Sequence, residues 1–391
     1  MKILILSQYY APDLSAGSFR MNSFVKNFTE LYPDIEIELL TTMPNRYKSF
    51  HEDAKAIEKI NNLTIHRFRL KTHNGGMKEQ VLSYLGYYLN VLKMTKNKEY
   101  DLIFATSSRL FTATLGTYIS WRKKIPLFLD IRDIFVDSIS DVLKGFSKYL
   151  IIPPLKYIEK LTIKRASKVN LVSKGFYSYF RDRYPLSNFS FISNGIDDVF
   201  LNFDQTNTKN IKQKTILYAG NIGEGQGLEK IIPSIAKSLE HNYLIKIIGD
   251  GGRRRVLEEN LLKDKITNVE IIDPIERSKL IQEYNNADIL FLHLNSYDAF
   301  KKVLPSKIFE YAATGKPIWA GVDGYAKEFL NEEVINSAVF SPCDSIAALE
   351  SLKKLQLDNI DREAFKEKFS RNKLMKELSI ELVSVLSKSA P

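Results

Sequence analysis

Val303-Leu304-Pro305-Ser306-Lys307-Ile308-Phe309-Glu310 sets a lysine and a glutamate three residues apart, shortly before Gly315-Lys316-Pro317. A helix that opens at about Ser306 and stops at that glycine and proline carries both side chains on nearly one face. A lysine in a first helical turn opposes the helix dipole unless an anion sits there. A carboxylate one turn later can accept both hydroxyls of a ribose. Lys307 and Glu310 therefore have the reach to hold the phosphate and the sugar of one nucleotide. The plainer alternative is an i,i+3 surface ion pair.

Two glycine turns precede that segment. Gly220-Asn221-Ile222-Gly223, followed by Gln226-Gly227, closes a short apolar run. Small residues there admit an anion to the backbone amides, and the following helix start favours negative charge. Gly249-Asp250-Gly251-Gly252 closes another run and leads into Arg253-Arg254-Arg255. Arginines at a helix start are unfavourable alone. Either a phosphate draws one or two of them in, Arg254 foremost, or they are solvated.

The first half offers two further clusters. Ala16-Gly17-Ser18-Phe19-Arg20 opens a helix after the first strand. Gly17 lets a substrate near the backbone, and Arg20 can grip a phosphate or carboxylate with its fork. The alternative is a plain loop with a surface arginine. Asp130-Ile131-Arg132-Asp133 ends a buried strand, where charges are costly unless paired or facing a site. Asp130 and Arg132 fall on one side of that strand, Ile131 and Asp133 on the other.

These groups need elements to position them. Short apolar runs alternate with helical patterns: Lys2–Leu6, Glu36–Thr41, Thr64–Arg69, Leu102–Ala105, Leu127–Ile131, Lys168–Val172 and Ser190–Ile192 read as strands. After a polar stretch at 202–214 the pattern restarts with Thr215–Tyr218, Tyr243–Ile248, Val269–Ile272, Ile289–Leu292 and Pro317–Ala320. Continuous apolar strands between amphipathic helices indicate parallel sheets covered on both faces. The expected architecture is α/β, two Rossmann-like doubly wound units facing across a cleft, with ligands at the carboxyl ends of the strands. Expected domains are 1–200, acceptor-binding; 201–370, donor-binding; and 371–391, a terminal helix returning to the first. Residues 363–386 read as helical.

The 391 residues suffice for two cores. The single cysteine, Cys343, forms no intrachain disulfide, in keeping with a reducing compartment. The opening apolar run is shorter than the about 7–15 residues of a secretory signal, and no run nears the roughly 18 of a membrane span. The net charge of +10 belongs to the first half: residues 1–200 hold 29 Lys+Arg against 19 Asp+Glu, and the rest 27 of each. Residues 142–183 alone carry ten bases and two acids. Such a field suits an anionic membrane surface. The basic, aromatic stretches Tyr84–Lys98 and Lys148–Lys168 are the candidate contacts, a solvated face being the alternative. No recognised nucleic-acid motif accompanies the charge. The histidines show no metal-ligand spacing. Phosphate-binding P-loops, dinucleotide GxGxxG turns and GxSxG elbows are absent from the sequence.

Taken together, Pro305-Ser306-Lys307 with Glu310, Gly249-Asp250-Gly251, Gly220-Asn221-Ile222-Gly223 with Gln226-Gly227, Asn194-Gly195-Ile196-Asp197 and Asp130-Ile131-Arg132-Asp133 resemble the GT4 family of retaining GT-B glycosyltransferases. The nearest branch is the bacterial L-fucosamine transferases of O-antigen and capsule synthesis. The resemblance implies a metal-free, cytoplasmic hexosyl- or N-acetylhexosaminyl-transferase, peripheral at the inner face of the plasma membrane. It would take a nucleotide-sugar, a UDP-sugar by preference, and a lipid-linked or polysaccharide acceptor. Catalytic roles then fall to Arg132, Asp133 and Lys307. Donor contacts fall to Gly220, Asn221, Ile222, Gly223, Gly249, Asp250, Gly251, Arg254, Lys307 and Glu310. Acceptor contacts fall to Gly17, Arg20 and Asp130. Three positions depart from the family pattern. Lys302 stands where the first of two paired glutamates is usual. Asn221 and Gln226 stand for the usual arginine and lysine. Arg132-Asp133 replaces the usual His-Asp. The alternatives are a non-hydrolysing UDP-sugar 2-epimerase and a degenerate nucleotide-binding module.

Overall fold

A strand that is apolar at every position must be covered on both faces, and the second sheet shows how. In the computed structural model, which describes residues 1–13, 15–44, 54–70, 77–107, 110–143, 145–203 and 213–387, Ile216 and Tyr218 of one strand join a core on one face while Leu217 and Ala219 join a core on the other. Ile289 and Phe291 alternate with Leu290 and Leu292 in the same way. Trp319 is fully buried, its indole N–H donating to the Ala348 carbonyl at 3.1 Å and to Ser351 Oγ at 2.9 Å.

Among the described residues the first sheet has eight strands: β1 Lys2–Leu6, β2 Glu36–Thr42, β3 Ile57–Ile60, β4 Leu63–Phe68, β5 Leu102–Ser107, β6 Leu127–Ile131, β7 Lys168–Leu171 and β8 Phe189–Ser190. Their order is β3-β4-β2-β1-β5-β6-β7-β8. All pairs are parallel except β3 with β4. The second has six parallel strands: β9 Lys214–Ala219, β10 Tyr243–Ile248, β11 Val269–Ile272, β12 Ile289–His293, β13 Ile318–Gly321 and β14 Ser337–Phe340, in the order β11-β10-β9-β12-β13-β14. Strand order reverses between β1 and β5 in one sheet and between β9 and β12 in the other. Those are the points where open α/β sheets hold ligands. The two doubly wound sheets are the expected α/β architecture.

One compact unit comprises Met1–Asn194 with Arg371–Pro391, the other Gly195–Ser370. Residues 195–200 thus fall in the second unit, not the first. The Ile196 N–H donates to the Phe369 carbonyl at 2.7 Å, and Ile196 and Phe200 are buried in the second unit's core. The terminal helix is also two helices, Glu363–Phe369 and Arg371–Ser387. Ser370 takes an extended conformation between them and bridges Ile196. The Arg371–Ser387 helix buries Leu374, Met375, Leu378 and Leu382 in the same core as Met21, Phe24 and Phe28 of the helix Ala16–Leu31. Residues 204–212, most of the expected linker, lie outside the described residues.

Arg20 and Asp130, read from sequence as acceptor contacts, are fully buried and engage each other. Arg20 Nε and Nη2 donate to the two Asp130 oxygens at 3.0 and 2.8 Å. Its remaining donors reach the carbonyls of Ile192 and Ser193, at 3.0 and 2.5 Å. Asn170 Nδ2 and Thr106 Oγ1 complete the carboxylate's shell at 2.8 and 3.1 Å. Burial pushes the Asp130 pKa up, but the Arg20 charge and these hydrogen bonds outweigh it and hold it below the usual value. The arginine fork does grip a carboxylate, but one supplied by the protein. Both side chains are fully buried and satisfied by protein groups.

Removing one charge of such a pair strands the other in an apolar interior. Asp130→Asn is expected to destabilise the first unit by about 3 kcal/mol or more, read as a shift in urea unfolding midpoint at unchanged slope.

Candidate functional site

The glycines at the ends of β9 and β10 are required by each other's backbone. Gly249 has φ +153°, and a Cβ there would lie 1.8 Å from the Gly220 carbonyl oxygen. A Cβ on Gly251 would lie 2.5 Å from the Ile222 oxygen. The close approach lets the ladder run past the strands. The Gly220 N–H donates to the Ile248 carbonyl, Ile222 N–H to Asp250 and Arg253 N–H to Ile222, each at 2.9 Å. Two of the four amides assigned to a diphosphate, those of Gly220 and Ile222, are thus committed to the fold. Those of Asn221 and Gly223 stand outside these ladder bonds. The exposed Asp250 carboxylate caps the Gly251 N–H at 2.8 Å. Asn221 Nδ2 donates to Gln226 Oε1 at 2.8 Å, lying where a side chain on Gly223 would be.

Lys307 and Glu310 sit on the short helix Lys307–Ala313, after β12. Lys307 Nζ lies 3.0 Å from Glu310 Oε2. The pair is not the surface contact that i,i+3 spacing alone allows: Glu310 is 8% exposed, and the fully buried Tyr284 joins it. The Tyr284 hydroxyl lies 3.3 Å from Glu310 Oε2 and 3.1 Å from Lys307 Nζ. Burial works against the lysine's charge, but Glu310 and the neighbouring tyrosine hydroxyls prevail and raise its pKa. Both protein donors converge on Oε2 of Glu310. The neighbouring Tyr311 accepts the Ala219 N–H at 3.2 Å, tying this helix to the end of β9.

Two residues hold that helix and its loops in place, and neither stands out in the sequence. Arg362 is 5% exposed and has no carboxylate among its hydrogen-bond partners. Its guanidinium donates to the carbonyls of Ala312 at 3.0 Å, Lys316 at 3.1 Å and Ile335 at 2.6 Å. Carbonyls at a helix end need such a donor. Desolvation lowers its pKa to about 10, so it stays charged at neutral pH. His293, fully buried at the end of β12, accepts the Cys343 N–H on Nε2 at 3.0 Å. Nδ1 therefore carries the proton and donates to the Gln226 carbonyl at 2.6 Å. Burial pushes its pKa down to about 4. A neutral imidazole pins the glycine loop to the loop after β14.

The arginine run is paired with protein carboxylates. Arg254, expected among the donor contacts, pairs with Glu258 and Asp273. Arg255 pairs with Glu259 on its own helix. Arg253 pairs with Glu224, which also accepts the Tyr297 hydroxyl at 2.5 Å. Protein carboxylates offset the unfavourable helix-start charge. Lys302 ends the 3-10 turn Asp298–Lys302, half-buried, eight residues before Glu310.

In the first unit, Arg132 and Asp133 follow β6 at its carboxyl end. Gly17 lies under Arg132: a Cβ on Gly17 would be 1.9 Å from the Arg132 guanidinium. The helix above starts at Ser15, whose hydroxyl accepts the Ser18 N–H at 3.1 Å. Gly17 thus makes room for an arginine, a role sequence reading gave to a substrate. The half-buried Asp133 accepts the Ser138 hydroxyl at 3.2 Å. Burial raises its pKa to about 6, against the lowering effect of Ser138, the Ile134 N–H and Arg132. Asp133 can therefore exchange a proton near neutrality. Among the described residues no group of three or more His, Cys, Asp or Glu is placed to hold a metal ion.

The folded pKa of His293 lies below the about 6.5 of an unfolded histidine, so the unfolded chain takes up the proton first. Its stability contribution is complete above that value and is lost as pH falls toward 4. Relative to His293→Gln, the wild type should lose up to about 3 kcal/mol between about pH 6.5 and 4, measured by denaturant unfolding of both at each pH. Asp133→Asn should remove an acid limb near pH 6 from the kcat/KM profile, measured against the wild-type profile.

Comparison with known proteins bears on both units. Residues 200–371 match the family model described as Glycosyl transferases group 1. Over 159 residues the chain is 26% identical to Escherichia coli WcaI, named as a colanic acid biosynthesis glycosyl transferase. That stretch is 39% of this chain and 38% of WcaI, well under two thirds of the relative's length. Several solved structures align over nearly the whole chain. Sucrose-phosphate synthase from Thermosynechococcus elongatus has TM-score 0.70 at 13% identity, covering 99% of this chain and 97% of that one. Anabaena HepE, solved with UDP and glucose, has TM-score 0.68 at 18% identity, covering 98% and 99%. The chain has the GT-B fold, and its residues 200–371 carry the glycosyl transferases group 1 pattern, as the glycine turns, Lys307 and Glu310 foreshadowed.

Proposed function

We propose that this chain transfers a sugar from a nucleotide-sugar donor to a lipid-linked precursor of a surface glycan, with retention of configuration and without a metal. The observation that carries the reading is the half-buried Lys307 joined to the buried Glu310 and Tyr284 beside the β9 glycine turn, within the segment matching glycosyl transferases group 1. A UDP-sugar of hexosyl or N-acetylhexosaminyl type is the donor, UDP-N-acetyl-L-fucosamine being the first to try. The precursor belongs to O-antigen, capsule or a related polysaccharide. The work is done in the cytoplasm at the inner face of the plasma membrane.

In this reading Glu310 accepts the ribose hydroxyls. Lys307, Lys302 and the amides of Asn221 and Gly223 face the diphosphate. The bond between the anomeric carbon and the diphosphate oxygen breaks, and charge builds on that oxygen. Fixed positive groups aimed there lower the barrier. The acceptor hydroxyl oxygen bonds to the same face of the anomeric carbon, and its proton ends on the departing diphosphate. Arg132 and Asp133 orient the reacting sugars. Lysine at position 302 adds to the positive field where a carboxylate is usual.

Thermal shift against a panel of nucleoside diphosphates and their sugars tests the donor class, because a ligand bound only to the folded state raises Tm. UDP is expected to give the largest shift. Glu310→Ala should raise donor KM roughly tenfold or more, about 1.4 kcal/mol per decade, with a smaller change in kcat. An unchanged KM would remove Glu310 from donor recognition. Activity should persist in EDTA. Donor incubated without acceptor should yield no 2-epimer.

A further inference from the structure

The helix Phe146–Arg165 turns an apolar stripe toward solvent, although its opposite face already fills a core. Ile152, Glu159, Thr162 and Ile163 are buried, and Leu155 and Ile158 pack with Leu110 and Val136. On the outer face Leu150 is 63% exposed, Tyr157 62% and Leu161 50%. These three recur at seven and four residues, a single stripe on a helix of 3.6 residues per turn. Lys156, Lys160 and Lys164 are all exposed and run beside it at steps of four. Tyr149, 78% exposed, extends the apolar surface at its start. Pro153 and Pro154 have no N–H for the carbonyls of Tyr149 and Leu150, which a hydrated headgroup layer can solvate.

Charge decides what this face meets. The helix has one acid, Glu159, and it points inward, accepting the hydroxyls of Tyr184 at 2.8 Å and Tyr179 at 3.1 Å. The outward row of lysines is therefore not offset by any carboxylate of its own helix. The other basic stretch, Tyr84–Lys98, is spent only in part. Tyr84, Tyr87 and Val91 are buried and Lys98 is paired with the buried Glu38, which leaves a shorter outward set, Leu85 and Leu89 with Lys93 and Lys96.

We propose that the outer face of this helix docks flat on an anionic bilayer. Leu150, Tyr157 and Leu161 enter the boundary between headgroups and acyl chains. The three lysines extend to lipid phosphates on one flank. This deepens the membrane part of the function proposed above, and it selects one of the two basic stretches as the contact. Binding then depends on both anionic lipid and apolar insertion, and it falls with salt.

Vesicle flotation of the full chain tests this with phosphatidylcholine alone and with added phosphatidylglycerol. The wild type should float only with phosphatidylglycerol. Lys156→Gln/Lys160→Gln/Lys164→Gln should lose roughly tenfold or more in partitioning. Leu161→Glu, at a half-exposed position, should lose binding without changing Tm. Lys93→Gln/Lys96→Gln on the other stretch should float as the wild type does. Wild-type binding to neutral vesicles, retained flotation of the triple variant, or a dimer in solution that Leu161→Glu dissociates without any vesicle binding would overturn the proposal. Thermal shift by UDP, run on the same samples, separates the two ideas. A UDP shift without flotation sinks only the docking surface. Flotation without any nucleotide shift sinks only the donor assignment.

Discussion

The central strands of both sheets are buried on both faces, and this constraint governs where any chemistry can occur. A buried strand flanked by two cores tolerates a polar side chain only when every donor and acceptor is met. The chain meets that condition inside a sheet at Asp130, where a guanidinium, an amide and a hydroxyl close around one carboxylate. That cluster joins the first helix, β5, β6 and β7 and the carbonyls of Ile192 and Ser193. Its effect is to fix the carboxyl end of β6, so that Arg132 and Asp133, the next polar residues along, emerge at a defined place.

The second unit solves the same problem with backbone. Its two glycine turns press together closely enough that hydrogen bonding continues beyond β9 and β10. That fixes the loop but consumes amides that would otherwise be free for an anion. Positive charge is supplied instead by side chains such as Lys307, which opens the Lys307–Ala313 helix. Such a short helix is not stable by itself. It holds because Arg362 satisfies carbonyls at its far end, Tyr311 reaches back to β9, and Ile308, Phe309 and Ala312 are buried.

Much of this was legible from the sequence because the signal is local. Runs such as Leu127–Ile131 and Tyr243–Ile248 are strands with the expected bounds, since each is a short, mainly apolar run that stands out against its polar flanks even with Asp130 or Lys246 inside it. The strands that escaped notice, β3 and β14, are four-residue edge strands, and three of the four β3 residues are exposed. What the sequence hid was pairing across distance. Arg20 and Asp130 lie 110 residues apart, and no local pattern tells a guanidinium awaiting a ligand from one already matched. Tyr284 and Glu310 are separated by 26 residues and meet only when the helix Arg277–Asn286 packs beside the Lys307 helix. The pairing of the arginine run was hidden for a related reason. Its carboxylate partners Glu224 and Asp273 come from other elements. The break at Ser370 hid because helical propensity continues through it while the tertiary bridge to Ile196 does not allow the helix to.

The ion pair between Lys307 and Glu310 and a ligand role for both are compatible, because the pair uses one carboxylate oxygen. Lys307 and Tyr284 both approach Oε2, and a vicinal diol needs an acceptor, not a further charge. A diphosphate would share Lys307 with Glu310, whose negative charge partly cancels the lysine's pull. The glutamate would thus weaken the grip on any bare anion and reward one that brings hydroxyls with it. Inorganic phosphate would meet only the first effect and a nucleotide both. Specificity here would arise from a cost imposed on the incomplete ligand, the same logic by which a buried unpaired group rejects an analogue that cannot satisfy it.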